Sequence, residues 1–562
     1  MLLESLREYS HRLDLPPVMY LPTPIRWFID LDRQGNLLGL VSATGPEARG
    51  KGRDRGKIIY APNIVRSSGV KAKLLADKAD YVLGLGDEKS KPERVKECHQ
   101  AFIALIHQCA AATNNKSVQA VLRFLENWEP GTAPLPDDFN PADNLTFRVD
   151  GHLPIEDPDV QSFWADYTSP QEGQATTCLL CGQKKPPAER HPVKIKGIPG
   201  GQTSGMALVS ANNAAFESYG LKASLIAPIC YDCAERYGKA ANALIENDAT
   251  HLRLGSCVYL FWTREPSNFS IGSMLSDPQP EDIKALLASV YSGHQADLED
   301  TNPFYATALA SSGGRVAVRD WLETTLGDVK RNLGRYFLLQ RLVDANGQEG
   351  PPLGLYPLAL ATVREAKDLP PTTPKALLQL ALKGGPLPPW LLYEALKRAR
   401  AEQDRQKITR PRAALIKMVL LSQKPYLPEG FTLEKLDSTN QNPAYLCGRL
   451  LAILEGIQKS ALPGVKATIV DRFYGTASTA PAAVFSRLLR GSQSHLGKLR
   501  KEKAGLYYRW QQSLERVMAG LTSFPSILTL EEQGYFALGY YHQRAANWEG
   551  TGSGEEEKEA QA

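Results

Sequence analysis

The stretches CLLCG at 178–182 and CYDC at 230–233 each set two cysteines two residues apart. A two-residue gap lets both thiolates of a pair turn toward one tetrahedral ion. Two such pairs supply the four sulfurs of a structural zinc site. Cys178, Cys181, Cys230 and Cys233 are therefore the candidate zinc ligands. Residues 182–229 lie between the pairs, a longer spacer than a minimal zinc ribbon has. The metal is thus expected to staple a loop excursion, 178–233, onto a larger domain. A redox Cys-x-x-Cys needs only one pair; two unrelated pairs of reduced thiols remain the other reading. A closed four-sulfur site has no position for substrate, so the zinc is expected to be structural.

Working outward, 562 residues exceed one ordinary core, and two or three domains are expected. The expected fold class is α+β. Up to about residue 300, strand-like runs (IRWFIDLD, NLLGLV, KIIYAP, YVLGLG, ALVSA, CVYLFW) alternate with helical patterns such as PERVKECHQAFIALIHQCAAA. A mixed N-terminal domain is assigned to 1–300, with a zinc-ribbon-like insertion at 178–233. From there RDWLETTLGDVKRNLGRYFLLQRLV and later segments carry i, i+3, i+4 apolar spacing, giving a helical linking region at 301–440. A helical bundle follows at 441–548, beginning near Asn442, and a disordered acidic tail at 549–562. The other cysteines are scattered, and no apolar run approaches the roughly 20 residues that span a bilayer. A soluble cytoplasmic protein with no membrane partner is expected.

Charge is nearly balanced, 65 Lys plus Arg against 61 Asp plus Glu, so the whole chain is no polycation. Locally it clusters. RGKGRDRGK carries Arg49, Lys51, Arg53, Arg55 and Lys57 among glycines. A second cluster spans 397–417. A third holds Arg487, Arg490, Lys498, Arg500, Lys501, Lys503 and Arg509, interleaved with Tyr507, Tyr508 and Trp510. Phosphates attract such clusters, and aromatics offer faces to unpaired bases. A solvated helix face is the plain alternative for any one of them, and Trp510 as core the alternative to Trp510 as a stacking face. GPEARGKG (45–52) misses the phosphate-loop pattern because Gly52 replaces the hydroxyl residue. With no nucleophile elbow, zincin pair or compact acidic set, the chain reads as a binder and not an enzyme.

HPVKIKGIPGGQTSGMALVSANNAAFESYG (191–220) resembles the signature of the large subunit of the type I-C CRISPR Cascade, the Cas-eight-c or Csd-one family. RSSGVKAKLLADKADYVLG (66–84), FYATALASSGGRVAVRDWL (304–322) and LTLEEQGYFALGYYHQR (528–544) resemble its other motifs, in order. The resemblance implies an RNA-guided antiviral complex in which the large subunit reads the protospacer-adjacent motif on duplex DNA and promotes R-loop formation. It then holds the displaced single strand and presents the target to a helicase–nuclease. The implied partners are double-stranded target DNA, displaced single-stranded DNA, guide RNA, other Cascade subunits and that helicase–nuclease. Within the 66–84 motif, Arg66, Ser67, Ser68, Lys71 and Lys73 are the implied motif readers. The bundle resembles the family's small subunit, which is made from an internal start. Met418 is the last methionine that leaves the block whole, and a non-AUG start nearer Asn442 is equally open. The block is expected to bury its own apolar stripes and be soluble alone. A metal-dependent nuclease and an architectural zinc protein remain as other readings.

Overall fold

The structure is a computed structural model that describes residues 1–43, 56–64, 66, 69–87, 90–131, 135–168, 175–291, 301–344, 346–402, 406–424 and 433–548. It divides into two compact units, 1–246 with 309–318, and 247–308 with 319–562. The fold is α+β, with a cysteine cluster in the first unit and a helical C-terminal region. The expected acidic tail lies outside the described residues.

The first unit is built on a four-stranded sheet of order β3-β2-β6-β5, formed by β2 (Trp27–Leu31), β3 (Leu37–Ser42), β5 (Ala76–Lys78) and β6 (Asn144–Val149). β2 and β6 are parallel, and the chain between them supplies α2 (Ala79–Val82), α3 (Pro92–Thr113) and α4 (Lys116–Asn127). Parallel neighbours require such a crossover. The sheet and helices meet at Phe147, whose ring centroid lies 6.3 Å from that of Phe102 and 6.0 Å from that of Phe124. β1 (Tyr20–Ile25) pairs antiparallel with β4 (Lys57–Pro62), and α5 (Pro158–Thr168) buries Trp164 completely. YVLGLG, read as a strand, instead begins as the last two residues of α2, Tyr81 and Val82, and runs on as a turn: a short apolar run does not separate a buried helical turn from a strand.

The amphipathic N-terminus is α1 (Leu2–Ser10), packed on α6 (Tyr231–Glu246). A buried ion pair on α6, Glu235–Lys239 at 2.6 Å, fixes the segment after α1. Glu235 accepts the Met19 N–H (2.7 Å), and Lys239 donates to the carbonyls of Pro16 and Pro17. Both charges thereby find the partners that burial demands.

β9 (His251–Leu254), β10 (Cys257–Thr263), β11 (Pro303–Ser312) and β12 (Arg315–Thr325) form a sheet in the order β12-β11-β10-β9, which belongs to the second unit except for the β11–β12 hairpin end, 309–318. RDWLETT, read as the start of a long helix, is strand through Thr325. Valines, tryptophan and threonines suit a pleated surface beside β11. The helix begins only at α9 (Leu326–Gln340), where the Thr325 hydroxyl accepts the Asp328 N–H. α7 (Ile271–Ser276) and α8 (Pro280–Tyr291) precede the hairpin. α10 (Leu355–Leu360), α11 (Thr372–Lys383), α12 (Pro389–Ala401) and α13 (Arg410–Ser422) follow it.

The C-terminal block starts at Asn442, whose side chain accepts the N–H groups of Ala444 and Tyr445 and so caps α14 (Pro443–Ala461). α15 (Ile469–Ala477), α16 (Phe485–Glu502), α17 (Ala504–Ala519) and α18 (Leu530–Trp548) complete it. α14 and α18 cross closely: a methyl on Gly448 would meet the Phe536 carbonyl at 2.0 Å, and one on Gly539 the Tyr445 carbonyl at 2.1 Å. Tyr445 hydroxyl to His542 Nδ1 (2.9 Å) and Tyr540 to Glu455 (2.8 Å) bridge the pair. The block does not bury its apolar faces only against itself. α18 also packs on α12 and α13, with Leu392 and Leu420 set against Gly534.

Candidate metal centre and nucleic-acid interface

The four predicted cysteines converge in the first unit. β7 (Thr176–Thr177) and β8 (Lys184–Lys185) form a two-stranded hairpin whose turn carries Cys178 and Cys181. The Cys178 N–H donates to the Gln183 carbonyl, and the Gly182 N–H to the Cys178 carbonyl, both at 2.9 Å. Gly182 sits at φ 71°, a left-handed position that favours glycine. Cys230 immediately precedes α6, and Cys233 lies in its first turn. All four Sγ atoms lie within 4.8 Å of one another.

Cys181 Sγ and Cys230 Sγ are 3.9 Å apart. A tetrahedral ion with Zn–S bonds of about 2.3 Å sets its sulfurs about 3.8 Å apart, so the set fits one such ion. Cys178, Cys230 and Cys233 are buried, Cys181 is partly buried, and none is in a disulfide. Backbone support is present too: the Cys230 N–H donates to Cys178 Sγ at 3.3 Å.

One partner of this cluster is far away in sequence. Arg7 of α1 points a guanidinium nitrogen at Cys233 Sγ, 3.8 Å away, and that hydrogen bond raises its pKa. A divalent ion with four thiolates carries net charge −2, which a guanidinium offsets. Outer partners of this kind orient ligands and tune affinity.

The predicted DNA-binding residues divide by position. Arg49, Lys51, Arg53, Arg55, Ser67 and Ser68 lie outside the described residues. Lys57 opens β4 and is exposed. Arg66 is engaged within the protein. Its guanidinium pairs with the buried Asp77 carboxylate, donates to the Lys71 carbonyl (2.7 Å) and lies 4.2 Å from the Tyr81 ring centroid. Asp77 also accepts the N–H groups of Lys73 (2.9 Å) and Lys78 (3.0 Å). It therefore organises the whole segment, although nothing in the local sequence pattern singles it out. Burial pushes the Lys73 ammonium pKa down, while Lys71 is exposed. Arg94 joins them from α3, donating to the Gly69 carbonyl at 2.9 Å.

In the second unit the seven predicted cations line α16 and α17. α16 turns Phe485, Leu488, Ser492, Leu496 and Leu499 inward, spacing that leaves Arg487, Arg490, Arg500 and Lys501 exposed. Lys498 lies 3.9 Å from Glu502, and Lys503 stands between the two helices. Arg509 donates to the Asn547 carbonyl at 2.8 Å. Trp510 is core: it packs on Gly456 and donates Nε1–H to the Ser460 hydroxyl at 3.0 Å. Tyr508 is 70% exposed and offers the open face. Lys503, Arg509, Lys459 and Arg544 line a cavity of about 380 Å³ beside α14. Its carboxylate, Glu455, is already held by Lys459 (2.8 Å) and Tyr540. The cavity thus presents cationic side chains to solvent, an arrangement suited to phosphate oxygens.

Among the described residues, no helix is long and apolar enough to cross a membrane. No curated protein matches the chain. A family model described as CRISPR-associated protein (Cas_Csd1) matches residues 3–548. Covering both compact units and all four sequence motifs, that match establishes that the chain belongs to the CRISPR-associated Csd1 family.

Proposed function

We propose that this chain is the non-catalytic large subunit of an RNA-guided type I-C Cascade complex acting in antiviral defence. The family match over residues 3–548 carries this reading. In it, the first unit reads the protospacer-adjacent motif on duplex target DNA through the segment ordered by Asp77, with Lys71 and Lys73 as its groove contacts. The exposed cations of α16 and Lys503 after it, with Tyr508 of α17, hold the displaced strand by charge and stacking. Guide RNA supplies sequence recognition, and a separate helicase–nuclease receives the opened target. Zinc, bound by Cys178, Cys181, Cys230 and Cys233, serves structure, because four thiolates fill its coordination shell.

The test is binding by the complex assembled with guide RNA and its other subunits. Matched duplexes with and without the adjacent motif are compared for the natural chain and for Lys71→Ala with Lys73→Ala. Phosphate contacts weaken all targets alike, whereas base contacts change which motif is preferred. Motif-independent binding by the assembled natural complex would reject the reading.

A further inference from the structure

Residues 212–222 of the first unit are all exposed, yet the loop is firmly anchored. Its neck is closed by the Ala211 N–H donating to the Ala223 carbonyl and by the Ser224 hydroxyl donating to the Val209 carbonyl, both at 2.8 Å. Asn213 caps a short turn at Ala214–Phe216. The tip, Ser218-Tyr219-Gly220-Leu221, is closed by the Leu221 N–H on the Ser218 carbonyl at 2.9 Å.

Tyr219 sits at φ 53° and Gly220 at φ 72°. Two positive φ values identify a type I′ turn, whose preferred pair is Asn-Gly. A bulky residue in the left-handed region is strained, and such strain gathers at binding sites. Here it holds the phenol ring in water: Tyr219 is 99% exposed. Neither packing nor solubility calls for that arrangement.

The surroundings say what the ring can meet. Phe216, 48% exposed, carries the Arg315 guanidinium 3.9 Å from its ring centroid. Arg315 is held in turn by the Ser210 carbonyl at 3.1 Å. The Asn212 amide donates to the Gly313 carbonyl at 3.0 Å, tying the loop to the β11–β12 turn, and Gln202 flanks Gly314 beside it. Lys222 adds a second cation, and Glu217 is the carboxylate of the loop. The surface therefore offers two aromatic rings, a guanidinium plane and amides, with Leu221, 40% exposed, as the loop's large aliphatic side chain. A contiguous apolar patch for a protein partner is not what this loop presents. Aromatic and guanidinium planes are what unstacked bases lie against, with cations meeting their phosphates.

We propose that the 212–222 loop binds single-stranded DNA, Tyr219 stacking on an unpaired base and the Arg315–Phe216 pair receiving the adjoining nucleotide. The inference rests on the reading that this chain handles opened DNA strands. It adds a contact on the first unit, separate from α16 and α17.

The test uses the full chain and a single-stranded oligonucleotide containing 2-aminopurine, whose fluorescence falls on stacking. Tyr219→Ala weakens binding roughly tenfold and abolishes the quench, while Tyr219→Phe keeps both. Tyr219→Asn restores the preferred turn pair, so it melts no lower than the natural chain yet binds as weakly as Tyr219→Ala. Natural affinity and quench in Tyr219→Ala and Tyr219→Asn would overturn the inference. If neutralising the α16–α17 cations weakened binding in that same case, the functional reading would survive. A natural chain that binds no single strand would overturn both.

Discussion

Arg7 links the cysteine cluster to the N-terminal helix of its unit. Its guanidinium faces Cys233 from α1, so ligand charge and helix docking are coupled. Arg7→Gln should weaken metal retention about tenfold, the lower end for loss of an outer partner. Chelator competition followed by metal release reads this directly, and unchanged retention would dismiss the coupling. Two buried histidines bear on stability in acid. Burial pushes His542 down to about 3 and His191 down to about 4. The unfolded chain, with histidine near 6.5, binds more protons than the folded one below that pH. Stability is therefore complete above about pH 6.5 and is lost as pH falls toward those folded values. The slope is at most about 1.4 kcal/mol per pH unit for each histidine. His542→Gln keeps an acceptor for Tyr445 and does not titrate, so denaturant midpoints between pH 7 and pH 5 should vary less in that variant. An identical pH dependence would place the acid sensitivity elsewhere.

At the scale of elements, α18 limits how independent the C-terminal block can be. Its Gly534 face is covered by Leu392 of α12 and Leu420 of α13. Met418 lies inside α13, wholly buried. A fragment 418–562 lacks α12 and the first turns of α13, so it should expose that face and associate or melt lower than a fragment 388–562. Light scattering and thermal melts of the two fragments check this; equal melting and a monomeric shorter fragment would restore the independent bundle. The same elements show what was legible in the sequence. Paired cysteines were, because two-residue spacing is local and the fold needs only to bring two local motifs together. Asn442 was, because a cap and a following proline act on one helix start. β12 was not, although Gly313-Gly314 is a two-residue hairpin signal, with φ 54° and 77°. The apolar spacing of Trp321, Leu322 and Leu326 fits a helix as well as a strand, and pairing with β11 decides it. Arg7 and Asp77 were not legible because their roles come from partners that folding supplies.

For the molecule as a whole, the charge pattern gains meaning once burial sorts it. Arg66 and Arg509 are engaged within the protein, Trp510 is core, and Arg487, Arg490, Arg500, Lys501 and Lys503 face solvent. A strand-holding face needs the latter kind, since only unburied cations release counterions from phosphate. The decisive measurement is protection of the displaced strand in the guide-loaded complex, read by single-strand-specific base modification across a salt series. The natural chain is compared with one in which Arg487, Arg490, Lys498, Arg500, Lys501, Lys503 and Arg509 are all replaced by Gln. Protection should fall steeply with salt for the natural chain. For the variant it should be weaker, with a salt slope shallower by about 0.7 for each phosphate that no longer meets a cation. Equal protection of the displaced strand at every salt concentration would contradict a DNA-holding role for this subunit's C-terminal block.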